Sequence, residues 1–372
     1  MTGLKIPFIG LRKQYHNLRQ EILDVTDEVL RSGQIMDGNY TVEFEDWLAK
    51  KNHQKYAVTC HSGTQALEIM AGWYRSLYQE TPCVLIPTLT YPATVNAFVS
   101  AGWEIQLADT DDHGIIDIEH ADLSRINAVV LIGLYGAAID EPLSLRKWIS
   151  RLNLKDFLIL EDAAQHWLAN GCNRIGTGAA ISFDPTKNLN NYGNGGAIVT
   201  NDSALLYHAQ SVRNNGKPNH SNVGTNSRMS EVDAAQLLIK TKHIDQWQKR
   251  RHDIARYWIT RLRGSSAKCL IDLADVGDHA VQKFVINIDS RDHVKQVLSD
   301  RQIETKIHYE QPCHELGLFH QWPGPGLLSK ASALSRRVLS LPIYPELTDL
   351  EVDYVIDQVL DAVNNSGRSI NA

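Results

Sequence analysis

The segment from residue 157 to residue 200 constrains the fold more than any other part of the chain. It contains three short apolar runs, at 157–160, 179–183 and 197–200. Runs of this length that are closed by polar residues predict buried strands. The first run ends in Glu161 and Asp162, and the carboxyl ends of strands in open α/β sheets face the crevice where ligands bind. The segment therefore predicts an α/β protein with acidic groups at a ligand-binding edge.

A lysine follows the second of these runs. Lys187 comes after Ser182, and a glycine-rich turn at 193–196 separates it from the third run. Pyridoxal 5′-phosphate (PLP) needs a lysine that forms a Schiff base and an acid that pairs with the pyridinium nitrogen. Taken singly, Asp162 could cap a helix and the glycine turn could close a hairpin. In this order and spacing, the features together favour a PLP site.

Three segments carry a resemblance to a known family. EDAAQ (161–165), SFDPTKNL (182–189) and YGNGGAIVTND (192–202) resemble the core motifs of the DegT/DnrJ-type nucleotide-sugar aminotransferases, PLP enzymes of fold type I in the aspartate aminotransferase superfamily. The resemblance extends from IPFIGLRKQY to LSLPIYPELTDLEVDYVI. It implies two half-reactions: an amino acid, usually glutamate, converts PLP to pyridoxamine phosphate, and a nucleotide-linked keto sugar then takes up the amine.

The resemblance also implies roles for individual residues. Lys187 is the catalytic amine, and Asp162 holds the ring nitrogen protonated. The residues matched to cofactor contacts are Gly63, Thr64, Tyr91, Asp162, Gln165, Ser182, Lys187 and Asn226. The residues matched to substrate contacts are Tyr192, Arg228, His308 and Tyr309. Asn226 would reach the PLP phosphate of the neighbouring subunit, so the resemblance implies a homodimer with shared active sites. It implies no metal.

The residues themselves support one of these roles. His-Ser-Gly-Thr at 61–64 lies between a strand at 56–60 and a helix predicted over about 65–78. Small residues at such a junction leave N–H groups free at a helix N-terminus, where a phosphate is favoured. The alternative is ordinary capping of the helix by Ser62 or Thr64.

Apolar runs along the chain predict the architecture. They fall at 56–60, 83–86, 105–108, 128–133, 157–160, 179–183 and 197–200. Strands that alternate with helical patterns favour a largely parallel seven-stranded sheet flanked by helices. A capping box of Ser230 and Asp233 then opens a helical stretch that continues to about residue 262, with a break expected near 243–245.

The C-terminal part predicts a second unit. Strands are expected at 283–288 and 303–308 with a helix between them, and two more helices follow, the last over about 350–363. This pattern is typical of a compact α+β unit. We therefore predict a large PLP-binding domain over 1–245 and a small C-terminal α+β domain over 246–372.

Charge and cysteine usage exclude several classes of protein. The net charge of −6 and the pI near 6.2 imply no general attraction to nucleic acid or to anionic membranes. Five scattered cysteines without a C-x-x-C pair argue for reduced thiols in a cytoplasmic protein, against disulfides or zinc. The start, MTGLKIPFIG, lacks the apolar region of a signal peptide, and no apolar run approaches membrane-spanning length.

Several functional alternatives stay open at this point. The His308-Tyr309 pair favours a 3-keto-6-deoxy or related sugar over a 4-keto sugar, and a cyclitol ketone is a further candidate acceptor. A non-catalytic regulatory homologue would lack Lys187 or Asp162, and both are present. Lys187 also argues against the dehydratase branch of the family, in which a histidine replaces the lysine. The absence of G-x-G-x-x-G after the first strand disfavours a Rossmann dehydrogenase.

Overall fold

The computed structural model describes residues 4–139, 157–173, 176–322 and 328–366. Its helices are α1 (Leu11–Ser32), α2 (Asn39–Lys51), α3 (Gly63–Ser76), α4 (Pro92–Ser100), α5 (Ser203–Val212), α6 (Glu231–Thr241), α7 (Ile244–Leu262), α8 (Arg291–Asp300), α9 (Ser329–Ser335) and α10 (Asp349–Ser366). Its strands are β1 (Tyr56–Cys60), β2 (Cys83–Pro87), β3 (Glu104–Ala108), β4 (Ile126–Leu131), β5 (Leu158–Asp162), β6 (Gly178–Ser182), β7 (Gly196–Thr200), β8 (Lys268–Cys269), β9 (Phe284–Asn287) and β10 (Val338–Leu341).

A seven-stranded sheet forms the centre of the N-terminal part. Its strand order is β1-β7-β6-β5-β4-β2-β3. Within the described ranges, β7 alone runs antiparallel to its neighbours, and the other pairs are parallel. The carboxyl ends of β1, β2, β4, β5 and β6 therefore meet at one edge of the sheet. This confirms the predicted mostly parallel α/β architecture.

Side chains of the sheet alternate between two cores, because successive strand residues point to opposite faces. Val58, Ala180 and Ile198 belong to a buried cluster that includes α3. Their neighbours along the same strands belong to a second cluster, built with Phe44 of α2 and Leu237 of α6. Burial on both faces explains why these strands read as continuous apolar runs in the sequence.

The C-terminal part packs around a separate core. An antiparallel sheet of order β10-β9-β8 lies with α7, α8 and α10 around the fully buried Trp258. Ile6 from the start of the chain joins this core and forms an isolated bridge with Ile303. The division at residue 245 stays a prediction.

The elements differ from the sequence-based expectation in some places. The helical stretch breaks where expected, since α6 ends at Thr241 and α7 begins at Ile244. The strand expected at 303–308 is wrong: Ile303 pairs only with Ile6, and Lys306 only with Ser340 of β10. The segment changes partner after a few residues, so no continuous ladder forms. The sequence also missed α2, β8 and β10.

No helix in the described part of the chain is both long enough and apolar enough to cross a membrane.

Candidate active site

A cavity of about 310 Å³ opens where the carboxyl ends of the strands meet. Most of the residues singled out in the sequence line it: Gly63, Thr64, Tyr91, Asp162, Gln165, Ser182, Lys187, His308 and Tyr309. They come from the ends of β1, β5 and β6, from the loop after β2, and from the C-terminal part of the chain. The parallel order of the sheet is what brings the segments of the N-terminal part together.

Lys187 lies on the loop between β6 and β7. The carboxylate of Asp184 accepts hydrogen bonds from the Thr186 N–H at 2.9 Å and the Thr186 hydroxyl at 2.7 Å, and the Lys187 N–H donates to the Asp184 carbonyl at 2.9 Å. This turn directs the lysine towards the cavity. Burial lowers the pKa of Lys187, although the carboxylates of Asp162 and Asp184 partly oppose the shift. A lowered pKa makes the neutral, nucleophilic amine more available near pH 7.

Asp162 is the last residue of β5 and is buried at the cavity wall. Its Oδ2 accepts a hydrogen bond from the Thr94 hydroxyl at 2.6 Å, and its Oδ1 accepts one from the Ala164 N–H at 3.2 Å. Thr94 lies in the first turn of α4. These two donors set the orientation of the carboxylate.

Glu161 points away from the cavity, because adjacent strand residues face opposite sides of the sheet. Its carboxylate accepts hydrogen bonds from the N–H groups of Asn173 and Gly176 and lies 3.3 Å from His166 Nε2. Burial by itself raises the pKa of Glu161, but the contacts with His166, Asn173 and Gly176 lower it below its usual value. Glu161 therefore does not compete with Asp162 for a ligand in the cavity.

The buried trio Glu161, His166 and Cys172 has ligand atoms close enough for a metal ion. The hydrogen bonds favour another interpretation. His166 Nδ1 accepts from the Gly133 N–H at 3.0 Å, so the proton of a neutral ring is on Nε2, which faces Glu161. A metal bound at Nε2 would leave the proton of the neutral ring on Nδ1. Nδ1 could then no longer accept the hydrogen bond from the Gly133 N–H. We therefore interpret the trio as a buried hydrogen-bonded network around the Glu161 carboxylate.

Gln165 connects the two parts of the chain at the cavity. Its Oε1 accepts from the Tyr135 N–H at 2.7 Å, and its Nε2 donates to the Tyr309 hydroxyl at 3.0 Å. The Tyr135 hydroxyl in turn donates to the carbonyl of His308 at 2.6 Å. The His308-Tyr309 pair is thus tied to the sheet edge by side chains from both sides.

The N-terminus of α3 forms a cradle that suits a phosphate. The Ser62 hydroxyl accepts from the Gln65 N–H at 3.1 Å, while the N–H groups of Gly63 and Thr64 have no partner within the helix. A Cβ at Gly63 would lie 2.7 Å from Ser182 Cβ, so only glycine permits this approach. Capping and phosphate binding, alternatives in the sequence, are compatible in the structure. The cradle, Lys187 and Asp162 together fit PLP.

Three residues singled out in the sequence lie outside the cavity lining of this chain. Lys240 Nζ is 3.6 Å from the centroid of the Tyr192 ring. Arg228 donates to Asp37 Oδ2 at 2.6 Å. Asn226 is exposed. Their assigned roles stay predictions.

The structure adds residues that the sequence analysis missed. Thr94 holds Asp162, and Gln282 and Lys283 approach Lys187 from the start of β9. Thr94 carried no signal because it reads as an ordinary residue of an amphipathic helix. Lys283 carried a weak signal, because lysine is rarely buried and this one directly precedes the apolar run FVINI.

The geometry agrees with the comparisons to known proteins. The model of the DegT/DnrJ/EryC1/StrS aminotransferase family matches residues 16–360. A dTDP-3-amino-3,4,6-trideoxy-alpha-D-glucose transaminase of Streptomyces venezuelae is 34% identical, covering 95% of this chain and 95% of its own. A protein of Geobacillus stearothermophilus named pleiotropic regulatory protein is 30% identical, covering 96% of this chain and 98% of its own.

The crystal structure of S. venezuelae DesV in complex with a ketimine intermediate superposes with a TM-score of 0.87 at 33% identity, covering 96% of this chain and 98% of that one. The chain belongs to the DegT/DnrJ/EryC1/StrS aminotransferase family. It is a PLP-dependent sugar aminotransferase, which confirms the enzyme class and the cofactor expected from the sequence.

Proposed function

We propose that this enzyme transfers an amino group from an amino acid, with glutamate as the expected donor, to a nucleotide-linked 3-keto-6-deoxy or related sugar. The observation that carries the proposal is the convergence of Lys187, Asp162 and the α3 cradle on one cavity. The S. venezuelae relative named above is a transaminase of a dTDP-linked 3-amino sugar. Its name supports a nucleotide-linked substrate with the ketone at carbon 3.

Bound PLP supplies an electron sink for the carbon that carries the amino group. Lys187 would hold the cofactor covalently at rest. Once displaced by substrate, its amine would act as the general base and acid that moves the proton during transfer of the amino group. Its lowered pKa suits both duties, because each requires the neutral amine for part of the cycle.

Asp162 would keep a proton on the ring nitrogen, and its carboxylate is held by hydrogen bonds from the Thr94 hydroxyl and the Ala164 N–H. The cofactor contacts proposed here are those assigned from the sequence, and all of these residues line the cavity. Gly63, Thr64 and Ser182 would bind the phosphate, Tyr91 would stack on the ring, and Gln165 would contact the 3-hydroxyl. The amide of Gln165 is oriented by its hydrogen bonds with Tyr135 and Tyr309.

The sugar occupies the outer part of the cavity in this proposal. His308 and Tyr309 line the cavity and would border the sugar. Tyr192 and Arg228 lie outside the lining of this chain and would contribute only in the assembled enzyme. Burial, together with the charges of Lys283, Lys187 and Lys306, lowers the pKa of His308 to about 2. His308 is therefore neutral at pH 7 and contributes hydrogen bonding and not charge.

The working unit is proposed to be a homodimer with shared active sites. Asn226 supports this, since it is exposed and is not among the residues that line the cavity of its own chain. Two-fold dimers are the commonest soluble oligomers, and one axis would supply both sites reciprocally. The free and mostly buried cysteines support a cytoplasmic location.

A non-catalytic regulatory role is the competing function, and the G. stearothermophilus relative carries a regulatory name. The presence of Lys187 and Asp162 in a cradle that fits PLP favours catalysis. A regulatory protein would not require a lysine with a lowered pKa at this position.

Borohydride labelling tests the proposal. The purified protein should be yellow, and reduction followed by peptide mapping should place the pyridoxyl label on Lys187. The enzyme is then incubated with glutamate and a panel of nucleotide-linked 3-keto and 4-keto sugars, with a cyclitol ketone alongside. Mass spectrometry should detect the 3-amino sugar formed from a 3-keto member of the panel. A label on another lysine, or no amination of any member of the panel, would contradict it.

A further inference from the structure

Lys283 is a second buried lysine at the cavity. It directly precedes β9, is only 5% exposed, and lines the same cavity as Lys187. Its backbone N–H donates to the Tyr135 carbonyl at 3.0 Å, which fixes the start of the strand against the sheet edge. Neither the catalytic lysine nor the phosphate cradle accounts for it.

Gln282 positions this amine. Lys283 Nζ donates to Gln282 Oε1 at 2.8 Å, and Gln282 Nε2 donates to the Thr186 carbonyl at 2.8 Å. Thr186 is the residue before Lys187 in the chain. The second amine is thus held by a short chain of hydrogen bonds that starts at the backbone of the catalytic lysine.

Lys283 has no carboxylate partner of its own within the described ranges. Burial lowers its pKa well below the usual value, and the charge of Lys187 lowers it further, while Asp184 opposes both. A buried ammonium group without a carboxylate partner is unfavourable, and buried charges in proteins are normally paired. An anion that enters the cavity would favour the protonated form of the Lys283 amine and would also give it a charged partner.

The cavity offers few other cations for such an anion. Among the residues that the structure describes, the basic side chains lining it are Lys187, Lys283 and His308. Lys187 is committed to the amine chemistry. His308 is neutral and lies 2.8 Å from the Ser340 hydroxyl through Nδ1. Lys283 is left to receive an anionic group of the substrate.

We propose that Lys283 binds a carboxylate of the substrate, and that in the donor half-reaction this group is the α-carboxylate of the amino acid. The inference rests on the proposed function. Every amino-acid donor carries its α-carboxylate on the carbon whose proton Lys187 moves, so this anion enters the cavity that Lys187 and Lys283 both line. A carboxylate on the keto sugar is the second source of the same chemistry.

The donor half-reaction provides the test. Lys283→Met and Lys283→Arg holoenzymes are mixed with glutamate in the absence of sugar, and the loss of the cofactor's visible absorbance gives an apparent Kd and a maximal rate. Because a hydrogen-bonded charge pair is lost, the apparent Kd of Lys283→Met should rise by about 10- to 150-fold. The maximal rate should change less, and Lys283→Arg should recover much of the affinity.

4-Aminobutyrate identifies the group that is bound, since it is glutamate without the α-carboxylate. Its binding to borohydride-reduced protein, which cannot turn over, is measured by calorimetry beside that of glutamate. Lys283→Met should weaken glutamate and leave 4-aminobutyrate unchanged. In the second half-reaction, an effect confined to keto sugars that carry a carboxylate would instead assign the sugar as the source.

Controls separate this inference from a general charge effect. Lys306 is exposed, lies near His308 and does not line the cavity, so Lys306→Met should leave glutamate binding unchanged. If Lys283→Met does not fold, Lys283→Gln supplies the same comparison. Unchanged glutamate and sugar affinities, or equal weakening of glutamate and 4-aminobutyrate, would overturn the proposal. Failure of the proposed function is distinct, since the wild-type protein would then carry no label on Lys187 or would aminate no member of the sugar panel.

Discussion

Replacement of Thr94 by valine tests how the cavity holds its acid. Thr94 is fully buried, and its hydroxyl is one of two donors to the Asp162 carboxylate, at 2.6 Å. Valine keeps the shape of the side chain and removes the hydroxyl, together with its longer contact to the Thr90 hydroxyl at 3.3 Å. A hydrogen bond to a charged group contributes about 1.5–3 kcal/mol. Dividing this free energy by the unfolding entropy typical of a 372-residue chain gives a decrease in Tm of about 2–4 °C.

Thr110 provides a matched control. It is as fully buried as Thr94, but its hydroxyl has no hydrogen-bond partner in the described part of the chain. Thr110→Val should therefore be neutral or slightly stabilising, because an unpaired buried hydroxyl is unfavourable. Thr94→Ser, which keeps the hydroxyl, should recover part of the loss.

Differential scanning calorimetry of the three variants measures the effect on stability, and turnover with glutamate and a keto sugar measures the effect on function. Thr94→Val should also lower kcat, since Asp162 would be held by the Ala164 N–H alone. If Thr94→Val and Thr110→Val melt within about 1 °C of each other, the contact does not stabilise the protein and the reasoning fails.

Three further predictions follow from the site. Asp162→Asn should fold and bind PLP but show a strongly reduced proton transfer in single-turnover absorbance measurements; near wild-type turnover would mean that another group serves the ring nitrogen. Lys187→Ala and Asn226→Asp subunits should each be nearly inactive alone, and co-refolded mixtures should regain activity if sites are shared; mixtures that stay inactive, with mixed dimers confirmed by sedimentation, would argue for independent sites. The lowered pKa of Glu161 contributes stability that is present above the unfolded value of about 4.3 and is lost as pH falls through the folded value. Urea midpoints between about pH 5 and pH 3 should therefore fall less steeply for Glu161→Gln, and parallel curves would rule out this contribution.

Much of the fold could be predicted from local pattern. The seven strands of the large sheet are apolar runs buried on both faces, and such runs identify themselves without knowledge of their partners. The break between α6 and α7 and the cap at Ser230 were equally local. The segment 303–308 could not be predicted in this way. Its pattern predicts an extended chain, but a strand in a sheet also needs one continuous partner. In the structure the partner changes from Ile6 to Ser340 within this segment.

The same distinction separates the parts of the candidate site. Asp162, Ser182 and Lys187 lie within one short segment, so their order in the chain already predicted a common edge of the sheet. Their supporting contacts join residues far apart: Thr94 to Asp162 across 68 positions, Gln282 to Thr186 across 96, and Gln165 to Tyr309 across 144. Such contacts depend on strand order and on how the C-terminal part packs against the sheet.

Residue type and spacing were enough to predict the chemistry of the cavity, because a lysine and an acid that follow two strands are what a PLP site needs. The surroundings of these two residues depend on tertiary packing. Lys283 carries only a weak local signal, and its place in the cavity arises when β9 packs beside Lys187 and burial removes water from its amine. Desolvation and the field of neighbouring charges are properties of the packed molecule, and no stretch of sequence contains them.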